Sequence, residues 1–141
     1  MLLDANVLLY AFIGDYPQHA RARDWLSTQL RERRRLALPW PSMLAFVRIA
    51  TNHRILATPL KPIDAWNAMQ CLLDAPGVWI ATPGAEHRSV FDGLLQRLAP
   101  SADLVMDASL AALAIEHGLG VVSTDTDFAR FPEVRWINPL A

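Results

Sequence analysis

Short apolar runs alternate along this chain with longer stretches in which apolar residues recur at helical spacing. Leu2-Leu3 is the first run, closed at once by Asp4, and Val7 to Ile13 reads as a short buried helix. Pro17 opens a second helix, with Ala20, Trp25, Leu26 and Leu30 approximating one stripe. Leu36-Ala37-Leu38 is a candidate strand bounded by Pro39 and Pro41, and Ser42 reads as the N-cap of a helix running to about Asn52. Further helices are expected from Pro62 to about Ala75, from Ala85 to Leu98 and from Ala108 to His117, where Gly118 ends the pattern. Val78-Trp79-Ile80, Val121-Val122-Ser123 and Val134 to Ile137 are short strands, with a helical turn over Asp127 to Phe131. Short apolar strands separated by helices predict an α/β fold around a mostly parallel sheet buried on both faces.

With 141 residues, 52% of them hydrophobic and 19% charged, the chain has material for one well-packed domain spanning residues 1–141. The formal net charge of −1 gives no whole-molecule attraction to nucleic acid. Twelve arginines and one lysine, Lys61, make up the basic set, and Arg31-Glu32-Arg33-Arg34-Arg35 is its densest patch. That patch reads first as a solvated helix end and second as an RNA contact. A single cysteine, Cys71, allows neither an internal disulfide nor a cysteine-rich zinc site. Apolar stretches are broken by charge or proline before the ~20 residues a membrane span needs. The start Met1-Leu2-Leu3-Asp4 carries no basic leader, and the expected location is the cytoplasm.

The residues that stand out chemically are aspartates at element boundaries. Asp4 follows the first strand, with Asn6 two residues on; Asp107 precedes an alanine-rich helix; Asp125 and Asp127 follow the strand at Val121. Each is a plausible helix cap taken singly. Taken together they fall at one edge if the first and fourth strands are neighbours, because the carboxyl ends of parallel strands share an edge where ligands bind. Carboxylates gathered within ~5 Å require a shared proton or a cation. An all-oxygen ligand set suits Mg²⁺ or Mn²⁺ rather than zinc. Two such ions on four carboxylates would bring the net charge from −1 to +3. Asn6 is placed to orient Asp4. Thr124 reads either as a hydrogen-bond donor to a carboxylate or as a turn residue. Asp103, four residues before Asp107, joins it on one face if the helix begins near Pro100-Ser101, and is otherwise a loop or cap residue. Arg48 and Asn52, at i and i+4, either reach RNA phosphate or tie their helix to a neighbour.

Leu3-Asp4-Ala5-Asn6-Val7-Leu8-Leu9 resembles the opening D-x-N-x-L motif of PIN-domain ribonucleases. Asp107-Ala108-Ser109-Leu110-Ala111-Ala112 resembles their third-acid helix, and Ser123-Thr124-Asp125-Thr126-Asp127-Phe128 their T-x-D-x-D-F segment. Leu38-Pro39-Trp40-Pro41, Phe46-Val47-Arg48-Ile49-Ala50-Thr51-Asn52 and Phe128-Ala129-Arg130-Phe131-Pro132 are similar to VapC-type toxins of toxin–antitoxin pairs. The likeness runs from Leu2 to Pro139. It implies a single PIN-like domain, an α/β/α sandwich, and Mg²⁺- or Mn²⁺-dependent hydrolysis of RNA. It also implies a homodimer and a cognate VapB-type antitoxin. By position, Asp4, Asp107 and Asp125 match the family's catalytic and metal-binding acids, and Asp127 a further metal-binding acid.

One feature departs from that pattern. Such toxins usually place a glutamate a few residues ahead of the arginine matched by Arg48, and Met43-Leu44-Ala45-Phe46-Val47 holds none. Asp103, Ser42 or a water is left to fill the gap, and the number of metals stays open. A non-catalytic PIN-fold module that binds RNA or antitoxin is therefore the alternative function. A phosphotransfer site is disfavoured, since Lys61 lies far in sequence from the acids. Leu44, Phe46 and Phe12 form a candidate apolar groove for an antitoxin helix, with core filling as the rival role of Phe46. The five tryptophans are expected chiefly in the core, with Trp40 the most exposed.

Overall fold

A computed structural model describes residues 1–99 and 101–141. Among these residues, five two-residue strands, β1 (Leu2–Leu3), β2 (Leu36–Ala37), β3 (Val78–Trp79), β4 (Val121–Val122) and β5 (Trp136–Ile137), form one sheet in the order β3-β2-β1-β4-β5. Every pairing is parallel, with Leu2 beside both Ala37 and Val121. Among the described residues, six helices connect and cover them: α1 (Ala5–Phe12), α2 (His19–Arg31), α3 (Trp40–Ala50), α4 (Pro62–Leu73), α5 (His87–Leu98) and α6 (Val105–His117). Short 3-10 turns occupy Ala102–Leu104 and Thr126–Arg130.

Each strand sends its two side chains to opposite faces, as a pleat requires. Leu3, Leu36 and Val122 enter a core with buried residues of α1 to α4, among them Leu8, Leu26, Met43, Phe46 and Met69. Leu2, Ala37 and Val121 enter a second core with Leu94 of α5, Leu110 and Leu113 of α6, and Phe128 and Phe131. The result is three layers, helices on both sides of the sheet, as the uninterrupted apolar runs predict. Ala108, Ala111, Ala112 and Ala114 are buried and small, so α6 lies close against the sheet and its first turn reaches the carboxyl edge of β1 and β4.

Several boundaries differ from the sequence reading, and the differences matter for the site. α1 starts at Ala5, directly after Asp4, because Asp4 itself caps it. α3 begins at Trp40 behind Pro39, so Ser42 sits inside the first turn and is not its cap. A proline preset to a helical φ at the second position of α3 moves the start forward. α3 ends at Ala50, and Asn52 lies beyond it, its Oδ1 accepting from the Arg54 N–H at 2.9 Å to close a turn. The shared helix face expected for Arg48 and Asn52 is therefore not formed. α6 begins at Val105, which puts Asp107 within its first turn rather than ahead of it. Asp103 is exposed on the preceding 3-10 turn, and Pro100 lies outside the described residues. Phe46 is fully buried in an edge-to-face contact with Phe12, which settles it as core rather than groove. The arginine patch Arg31 to Arg35 is exposed at the end of α2, with Arg34 paired to Glu32 at 3.1 Å.

Gly77, just before β3, has φ +87°, and a Cβ there would lie 2.7 Å from the Arg34 carbonyl oxygen. That neighbour is backbone and cannot swing away. Gly77→Ala is expected to cost about 2–3 kcal/mol from left-handed strain and this clash. The measurement is a urea melt, where an unchanged midpoint would contradict the close approach.

Candidate functional site

The carboxyl edge of the sheet gathers side chains from four parts of the chain. Asp4 leaves β1, Ser123 leaves β4, Asp125 and Asp127 flank the start of the 3-10 turn that follows, and α6 delivers Asp107. The adjacency of β1 and β4 brings the first and last of these motifs together across more than a hundred residues.

Asp4 is held on both oxygens. Its Oδ1 accepts from the Ala5 N–H at 2.7 Å, the N-cap bond of α1. Its Oδ2 accepts from Ser123 Oγ at 2.7 Å and from Asn6 Nδ2 at 3.2 Å. Ser123 is fully buried, and its hydroxyl also accepts from Asn6 Nδ2 and from the Asp125 N–H, both at 3.0 Å. One donor and two acceptor sites are the whole capacity of a hydroxyl, and all are used. Asn6 Oδ1 accepts in turn from the Thr124 N–H at 3.3 Å. Asn6 thus orients Asp4 with its NH₂ group, while Thr124 enters through its backbone. Ser123, which links Asp4 to Asp125, does not stand out among the sequence candidates. The available signal was a small hydroxyl residue at the end of a buried apolar strand, where a polar group needs a partner.

Asp107, Asp125 and Asp127 each offer a carboxylate oxygen within 4.8 Å of the other two. Asp125 Oδ1 accepts from the Asp127 N–H at 2.9 Å, which fixes the pair across the turn. Asp127 is additionally 3.7 Å from Arg130, an exposed contact that contributes little. The electrostatic consequence falls on Asp107. Burial, then the charges of Asp125, Asp4 and Asp127, push its pKa up to about 6. Burial also raises Asp4, with Asp125 adding to the rise, against the opposing hydrogen bonds from Ser123 and Ala5. Asp103 is exposed and lies outside the group of three.

Asp4 and Asp107 share a hollow of about 150 Å³ with Pro41, Ser42, Ala45 and Arg48 of α3 and Met106 and Leu110 of α6. Arg48 is exposed on this wall and makes no ion pair among the described residues. Ser42 is 1% exposed, and its Oγ has no hydrogen-bond partner among the described residues. Three close carboxylates, with the pKa values of Asp107 and the neighbouring Asp4 raised, together with an unpartnered hydroxyl in the adjoining wall, fit a hard divalent cation with part of its hydration shell. Soft-metal ligands are absent from the group of three.

A second surface is apolar. Trp40 and Trp66 stack at 5.7 Å and, with Leu44, Val47, Pro62 and Ile63, line a groove of about 440 Å³ between α3 and α4. Trp40, Leu44 and Ile63 are 43%, 60% and 59% exposed, so this face is unlike the core role expected of most tryptophans. Among the described residues, no helix is long and apolar enough to cross a membrane.

A family model described as the PIN domain matches residues 1–134. The chain is 41% identical over 137 residues to ribonuclease VapC33 of Mycobacterium tuberculosis, covering 97% of this chain and 96% of that one. Ribonuclease VapC37 of the same organism is 39% identical over 140 residues, covering 99% and 97%. Among solved structures, the fold matches a chain of VapBC2 from Rickettsia felis bound to promoter DNA, at TM-score 0.68 and 16% identity over 97% of this chain and 96% of that one. A chain of VapBC-1 from nontypeable Haemophilus influenzae matches at TM-score 0.68 and 12% identity over 99% and 98%. These structural likenesses concern the fold, while the 39–41% identities concern kinship.

Proposed function

This chain belongs to the PIN-domain family and to its VapC ribonucleases, and from that premise we propose that it is a toxin endoribonuclease hydrolysing RNA with Mg²⁺ or Mn²⁺. The observation that carries the reading is the group of three carboxylates within 4.8 Å of one another, with Asp4 in the same field. Asp4, Asp107, Asp125 and Asp127 would hold the ion. A divalent cation there supplies Lewis acidity that lowers the pKa of a water. Ser123 and Asn6 keep Asp4 Oδ2 from turning away, and the Asp127 N–H does the same for Asp125 Oδ1. Arg48, exposed at the hollow, offers a guanidinium to a phosphate of the bound strand. No side chain is required as a covalent nucleophile. Products ending in a 5′-phosphate and a 3′-hydroxyl, with O3′ as the leaving oxygen, are what kinship with the family implies.

The antitoxin partner, a homodimer and a cytoplasmic setting belong to the same proposal, supported by kinship and by the exposed apolar face around Trp40, Leu44 and Ile63. Purified protein should cut RNA with Mg²⁺ or Mn²⁺, stop in EDTA and resume when the ion is restored. Protein that binds RNA yet cleaves none of a total-RNA preparation with Mn²⁺ would instead favour the non-catalytic module. Induction in cells should arrest growth, with rescue by the adjacent small open reading frame.

A further inference from the structure

The wall that α3 presents to the hollow contains a buried hydroxyl without a partner. Among the described residues, Ser42 Oγ has neither an acceptor for its proton nor a donor for its lone pairs, although the residue is only 1% exposed. Leaving such a group unsatisfied is costly, and native interiors rarely do so without a water or ligand. The Ser42 N–H is already spent on the Pro39 carbonyl at 3.1 Å, so the helix offers the side chain no relief. What lies next to it is a hollow of about 150 Å³ whose other wall holds Asp4 and Asp107. That space suits a few waters at ~30 Å³ each. The carboxylates of Asp4 and Asp107 give waters there hydrogen-bond partners, and Mg²⁺-type ions retain several waters when they bind carboxylates.

We infer that Ser42 is a positioning residue of the metal centre, donating its hydroxyl to a water in the hydration shell of the cation that Asp4 and Asp107 help to hold. This rests on the metal-dependent reading above. A neutral hydroxyl on α3 orients the ion's water without adding another charge to a site where Asp107 is already crowded by three carboxylates. The arrangement gives α3 a polar contribution to the centre although Met43 to Val47 contain no acid.

The test is a calorimetric titration of the full chain with Mn²⁺ alone, in the absence of RNA. Ser42→Ala should weaken Mn²⁺ binding roughly tenfold or more, the usual effect of losing an outer-shell partner. The metal-free variant should melt at the same temperature as the parent or above it, because an unsatisfied buried hydroxyl has been removed. Ser42→Thr, which keeps the hydroxyl, should bind Mn²⁺ as the parent does. Unchanged Mn²⁺ affinity in Ser42→Ala, with the parent binding normally, overturns this role while leaving the metal-dependent nuclease standing. Equal loss in the Ala and Thr variants overturns it too, since packing rather than the hydroxyl would then be responsible. A parent protein that binds no Mn²⁺ refutes the underlying reading itself.

Discussion

Asp4→Asn should lower RNA cleavage by about a thousandfold or more while leaving the protein folded. Loss of a metal-holding carboxylate removes several kcal/mol of transition-state stabilisation, and each 1.36 kcal/mol is tenfold in rate. Asparagine is the informative replacement because it retains a side-chain oxygen for the Ala5 N–H and so keeps the α1 cap. Alanine would remove the cap as well, at a cost of about 1 kcal/mol. The checks are a time course of labelled RNA cleavage and a thermal melt of the same sample. A folded Asp4→Asn protein with full activity would remove Asp4 from the chemistry.

Asp107→Asn should stabilise the metal-free protein near neutral pH and change it little in acid. The folded pKa of Asp107 is about 6, against an ordinary value of 3.8, so its charged form is penalised by folding. The stability linked to the protonated form is complete below the unfolded value and is lost as pH rises through about 6. The parent should therefore lose stability relative to Asp107→Asn between pH 4 and pH 7. After discounting for solvent screening of a partly exposed group, the expected difference is about 1–2 kcal/mol. Urea midpoints in EDTA across that range measure it. Saturating Mn²⁺ should reverse the order, because the ion binds the folded parent and stabilises it by mass action. Parallel pH profiles for the two proteins would mean that Asp107 is not crowded by its neighbours.

Much of this architecture is readable from local patterns because the strands are buried on both faces. Leu2-Leu3, Leu36-Ala37 and Val121-Val122 have no polar position to alternate with, so they stand out as short apolar runs between helices. Asp4 and Asp125 become readable as one site through a single topological step, the pairing of β1 with β4. Residues whose roles depend on non-local contacts are harder to read. Ser123 reads as the last residue of a short strand until Asn6 and Asp4 are placed beside it. Ser42 mimics a helix cap in sequence because serine ahead of an apolar run has that meaning locally, and only the start of α3 at Trp40 puts it inside the helix. Asn52 fits the i+4 spacing from Arg48, yet the chain leaves the helix at Thr51 to make a turn. Asp107 sits within α6 for the same reason: the 3-10 turn at Ala102–Leu104 leads directly into the helix at Val105, a continuity that spacing from Ala108 onward does not reveal.

If folding gathers distant carboxylates into one cation-binding centre at the sheet edge, Mn²⁺ must be visible there. Anomalous diffraction from crystals equilibrated with Mn²⁺ should show a peak within about 2.5 Å of carboxylate oxygens from Asp107 and Asp125 or Asp127, with Asp4 facing the same ion or its waters. Crystals with these four side chains ordered, saturated with Mn²⁺ and showing no peak among them would rule out a cation centre at this edge.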